Sequence, residues 1–137
     1  MTINVSDAKK SLPFYSDLLL LLGYKIVSRH ANSLGFSNGT LDIWVSQTES
    51  KYLNRKFHRK ATGLNHLCFR VASQKAVDEF TKKFLIKKRL KPLYNSPRIF
   101  PQYTKGYYAV YFEDPDRIKI EVSHIPHRYV KSNWPES

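Results

Sequence analysis

Two stretches of this chain carry one pattern 66 positions apart: Val5 falls on Val71, Phe14 on Phe80, Leu18 on Phe84 and Leu19 on Leu85. Each copy opens with a short strand-like segment (2–5 and 67–71), passes a Ser-containing junction and continues with apolar residues at helical spacing. Short alternating segments follow each helix, at 24–29, 33–36 and 41–47 in the first copy and near 92–94, 107–113 and 118–124 in the second. Their last members also match, Ile43 with Ile120 and Val45 with Val122, but at an offset of 77. The second copy therefore carries about eleven extra residues, placed most simply within 95–106.

Punctuation falls where two repeated units need it. Asn38-Gly39 and Asp114-Pro115-Asp116 are turn formers, Ser6 or Asp7 caps the first helix, Ser73 caps the second, and Gly23 closes the first. The spacing predicts an α+β fold of two βαβββ modules, with curved mixed sheets around a cleft and helices on the outside. Module one is 1–47, the linker 48–62, module two 63–124 and the C-terminal tail 125–137, all within one domain of 137 residues.

Composition narrows the function classes. Aromatic residues make up 14% of the chain, far too many for a disordered one. The lone cysteine, Cys68, excludes an internal disulfide framework and a Cys-rich zinc site. The apolar run at 18–22 is too short to span a bilayer and no cleavable signal pattern precedes it, so a cytoplasmic protein with no membrane partner is expected. The net charge of +12 draws attention to anionic partners. Six of the bases (Lys82, Lys83, Lys87, Lys88, Arg89 and Lys91) share one amphipathic helix and read as a solvated face. No recognised nucleic-acid motif accompanies them, and nucleic-acid binding ranks last among the functions considered.

Strand alternation sorts the remaining candidates. Leu67, Phe69 and Val71 make one face of their strand, and Ile118, Ile120 and Val122 one face of the last. The opposite faces carry His66, Cys68 and Arg70, then Lys119, Glu121 and Ser123, with Asp42, Trp44 and Ser46 in module one. These second faces are expected to line the cleft. An inward imidazole beside an inward carboxylate serves either as two metal ligands or as a base and its partner. The bland alternative makes His66 a hydrogen-bonded cleft residue, with Glu121 paired to Arg70 or Lys119.

The duplicated module, residues 63–71 (GLNHLCFRV) and residues 107–122 (YYAVYFEDPDRIKIEV) resemble the vicinal oxygen chelate superfamily, which includes glyoxalase I, extradiol dioxygenases, and fosfomycin and bleomycin resistance proteins. The resemblance runs from Thr2 to His124 and is nearest to small bacterial glyoxalase-like members. It implies metal ligands on the first and last strand of each module. His66 and Glu121 match two of the four positions, Trp44 stands at the third, and the fourth falls just ahead of Met1. The resemblance thus implies a divalent metal (Fe, Mn, Ni or Zn) held by His66 and Glu121, or none because the ligand set is incomplete. Glu121 would also be the catalytic base of a lyase, isomerase or dioxygenase acting on a vicinal-oxygen substrate. The alternative is metal-free small-molecule binding or sequestration, as in bleomycin resistance.

Trp44, Cys68, Arg70, Arg98 and Tyr108 complete the expected ligand-binding cleft. Residues 95–106 are read as a lid or a packed loop, with Phe100 or Tyr103 against ligand and Arg98 on an anionic group. Tyr107, Tyr108 and Tyr111 fall on both faces of one strand, so some of them should reach the cleft. His30 and His58 read as surface residues, and His124 and His127 as weak metal candidates. The partner is a small molecule, and the assembly a homodimer or a monomer.

Overall fold

A computed structural model of the chain describes residues 1–126, so His127 and the remainder of the tail lie outside the described residues. Module one contains β1 (Thr2–Val5), α1 (Ala8–Leu21), β2 (Lys25–His30), β3 (Ser33–Ser37) and β4 (Asp42–Gln47). Module two contains β5 (His66–Arg70), α2 (Gln74–Phe80) running on as a π-helical segment (Thr81–Ile86), β6 (Leu93–Ile99), β7 (Tyr108–Glu113) and β8 (Lys119–His124). The linker between them holds one 3-10 turn, Ser50–Tyr52. Each module forms a four-stranded mixed sheet, ordered β1-β4-β3-β2 and β5-β8-β7-β6. The fold is α+β with two βαβββ modules, as the repeat predicts.

Strand register reproduces the repeat residue by residue. Thr2 pairs with Trp44 on parallel strands as Cys68 pairs with Glu121. Gly35 faces Trp44 across the antiparallel pair as Tyr111 faces Glu121. Caps form as expected: the Asp7 carboxylate accepts from the Lys9 N–H at 3.0 Å and the Ser73 hydroxyl from the Ala76 N–H at 3.0 Å. Helix α1 continues unbroken through Pro13.

Val5, Leu18, Phe36, Ile43 and Val45 of module one share a single buried cluster with Val77, Phe84, Phe112, Ile120 and Val122 of module two. Phe14 joins them, with its ring 5.2 Å from Phe84 and 6.4 Å from Phe112. Such ring pairs contribute about 0.5–1.5 kcal/mol beyond the area they bury. Polar contacts close the same seam. The Tyr15 hydroxyl donates to Asp114 at 2.7 Å, and the Ser6 N–H donates to Asp116 at 2.9 Å. Asp114 also accepts from the Asp116 and Ile118 N–H groups at 2.8 Å, so one buried carboxylate holds both its own turn and the opposite module. Its burial pushes the carboxyl pKa up, as burial and Asp114 push up the Tyr15 hydroxyl.

Two elements differ from the sequence expectation. The second helix is not uniform: its turns widen at Thr81, whose hydroxyl donates to the Val77 carbonyl at 2.8 Å and competes for that helical acceptor. The extra residues of module two are not all loop either. Residues 95–99 belong to β6, whose pairing shifts between Leu93↔Tyr111 and Arg98↔Ala109. Ser96 spans that bulge, donating to the Leu93 carbonyl at 2.6 Å and accepting from the Tyr111 N–H at 2.9 Å, so the bulge keeps its polar groups satisfied. Among the described residues no helix is long and apolar enough to cross a membrane.

Candidate functional site

The open face of sheet two carries a cleft of about 830 Å³, and every described residue lining it lies between Asn65 and Ile125. The cleft is therefore walled by module two, not enclosed between the two modules. His66, Cys68, Arg98 and Glu121 line it, together with the rings of Tyr94, Phe100, Tyr103, Tyr107 and Tyr111.

At its centre lies Glu121, only 1% exposed. The Tyr107 hydroxyl donates to its Oε1, and His66 Nε2 stands 3.1 Å from its Oε2. His66 Nδ1 is 2.8 Å from Asn65 Oδ1, while the Asn65 amide donates to the Arg59 carbonyl at 3.2 Å. With that amide spent on Arg59, Asn65 Oδ1 is left to accept from His66 Nδ1. Burial, then the bond to Glu121, pushes the Tyr107 hydroxyl pKa up. Burial and the charge of Glu121 do the same to Tyr111. Both phenols thus stay protonated as donors across the neutral range.

Two cations edge the cleft. The Arg98 guanidinium lies 3.9 Å over the Phe100 ring and donates to the Tyr94 and Ile99 carbonyls at 2.9 and 3.0 Å. Lys119 Nζ sits 5.5 Å from the Tyr94 ring and 5.9 Å from the Tyr111 ring. Cys68 faces Ser123, with Sγ and Oγ 3.3 Å apart.

Three expected cleft residues lie elsewhere. Trp44 is on the open face of sheet one, its ring against Gly35 so closely that a Cβ there would stand 2.9 Å from it. Arg70, at the far end of β5, donates to the Ile125 carbonyl at 3.1 Å. The Tyr108 hydroxyl donates to Asp78 of α2 at 2.5 Å, because strand alternation turns Tyr108 toward the helix and Tyr107 and Tyr111 toward Glu121. Burial and Asp78 raise the Tyr108 hydroxyl pKa to about 12. Nor does Glu121 pair with Arg70 or Lys119. Its partners are His66 and Tyr107.

For a metal, His66 Nε2 and Glu121 Oε2, 3.1 Å apart, are two convergent donors. Among the described residues no group of three His, Cys, Asp or Glu side chains converges. These two donors supply only part of the coordination shell of an ion that takes four or more ligands. His124 is bound instead toward the Val71 carbonyl, at 3.3 Å.

The match to known proteins covers nearly the whole described chain. Residues 1–122 match the family model described as the glyoxalase/bleomycin resistance protein/dioxygenase superfamily. The uncharacterised protein YqjT of Bacillus subtilis is 36% identical over 118 residues, covering 86% of this chain and 91% of that one. A candidate glyoxalase from Bacillus halodurans superposes with a TM-score of 0.82 at 37% identity, over 91% of this chain and 92% of that one. Lactoylglutathione lyase from Agrobacterium tumefaciens shares the fold, with a TM-score of 0.63 at 20% identity over 90% of each chain. With its paired modules, register and matching relatives, the chain belongs to the glyoxalase/bleomycin resistance protein/dioxygenase superfamily.

Proposed function

We propose that the protein binds a flat aromatic small molecule bearing an anionic group, in the module-two cleft and without a resident metal. The carrying observation is the ring wall of Tyr94, Phe100, Tyr103, Tyr107 and Tyr111 with Arg98 and Lys119 set into it. Aromatic faces take the ring, and the two cations take the anion. Glu121, held by His66 and Tyr107, orients a polar hydrogen of the ligand or accepts its proton. Because one module alone walls the cleft, the assembly we propose is a homodimer whose second copy covers the open side. Calorimetric titration with a panel of aromatic carboxylates and phosphonates tests this in chelator-treated protein. Saturable binding that weakens at least tenfold in Arg98→Ala and Lys119→Ala is expected. A silent panel would reject it.

A second reading is a metal-dependent lyase, isomerase or dioxygenase, favoured by the convergence of Nε2 and Oε2 at 3.1 Å. Its test is elemental analysis of protein purified without chelator. Near-stoichiometric Fe, Mn, Ni or Zn, lost in both His66→Ala and Glu121→Ala, would establish it over the metal-free reading.

A further inference from the structure

Away from the cleft, the end of α1 and the π-helical segment flank a groove of about 660 Å³. Phe84, fully buried, is part of its lining, and Leu20 and Leu21 line it while remaining 49% and 44% exposed. Lys83 and Lys87 also line it and have no ion pair among the described residues, whereas Lys88 is paired with Asp17. A second hollow of about 430 Å³ shares Leu21 and Lys83, and is lined by Leu22, Ala76 and Phe80 together with Arg70 and Glu79.

The shape and chemistry select the occupant. A compact anion would use the lysines and leave the leucines in water. A nucleic-acid strand needs exposed rings to stack on, and the groove's one ring, Phe84, is buried. Exposed leucines beside cations without an ion pair among the described residues suit a long alkyl chain ending in one negative charge. The widened helical turn coincides with this lining, since Lys83 and Phe84 lie within Thr81–Ile86, and such turns recur at functional sites. We propose that the groove binds a monomeric long-chain carboxylate, its alkyl chain along Leu20 and Leu21 and its carboxylate between Lys83 and Lys87.

Titration calorimetry with dodecanoate below its micellar range tests the assignment, beside dodecyltrimethylammonium, which has the same tail and the opposite charge. Saturable one-to-one binding of dodecanoate alone is expected, weakened at least tenfold in the Lys83→Glu/Lys87→Glu double variant with an unchanged circular dichroism spectrum. Absence of saturable binding, or equal uptake of the ammonium amphiphile, overturns the proposal. So does weakening by Arg98→Ala in place of the lysine pair, which would locate the ligand in the cleft. Adsorption to phosphatidylglycerol vesicles without binding of the monomer would assign the face to a membrane surface. Loss of self-association in the lysine variant, without dodecanoate binding to the wild type, would assign it to a second copy of the chain.

Discussion

In module one the large ring stands on the last strand and the gap beside it: Trp44 lies against Gly35. In module two the order reverses, with the ring on the middle strand and the carboxylate on the last, Tyr111 beside Glu121. The core-facing positions between them scarcely change, as Leu34, Phe36, Ile43 and Val45 correspond to Val110, Phe112, Ile120 and Val122. The shared apolar face holds both modules in one cluster and tolerates little change in volume. The opposite face is free of that constraint. It carries an indole laid over Gly35 in one copy and opens into a charged, ring-lined cleft in the other.

The seam is where this pairing can be broken most severely. Asp114→Ala removes the acceptor of the buried Tyr15 hydroxyl and of two turn N–H groups, and should cost about 3 kcal/mol in urea unfolding. Asp114 also governs a pH effect. Burial raises its carboxyl pKa above 3.8, so just above that value the folded chain keeps a proton that the unfolded chain has released. Stability contributed by the neutral form is therefore lost as pH rises from 3.8 through the raised pKa, and Asp114→Asn should flatten that part of the pH profile.

Module one is probed next by Gly35→Ala, whose Cβ would meet the indole of Trp44. It should cost about 2 kcal/mol in the wild type and little in a Trp44→Ala background. Additive costs in this double-mutant cycle would show that the close packing of ring on glycine does not set the face. In module two, Tyr107→Phe removes a donor from Glu121. Affinity for the aromatic acids bound by the wild type should fall about tenfold, roughly 1.4 kcal/mol, with the unfolding midpoint little changed. The smallest effect is expected at Ser11, whose buried hydroxyl has no hydrogen-bond partner among the described residues and whose counterpart in module two is Val77. Ser11→Ala should stabilise the chain by about 0.5 kcal/mol, through better helix propensity and one fewer stranded polar group.

Much of this was legible before any coordinates. The repeat offsets, the cap at Ser73, a first cap at Ser6 or Asp7, both turns and the facing of His66 and Glu121 follow from alternation and spacing, which are local properties of the chain. Tyr107 and Tyr111 were readable only as candidates, because the strand's starting phase decides which tyrosines face Glu121. The bulge in β6 left no local signal beyond Ser96 and Pro97, since it depends on Ser96 finding partners on Leu93 and on β7.

By itself, then, the sequence determined two βαβββ modules and the pair His66 and Glu121, since periodicity is written in residue order. Tertiary structure alone decided that module two walls the cleft by itself, that Trp44 fills the matching face of module one, and that Glu121 binds Tyr107 rather than Arg70. Those outcomes turn on distances between side chains that are remote in sequence, and only the packing of the two modules sets those distances.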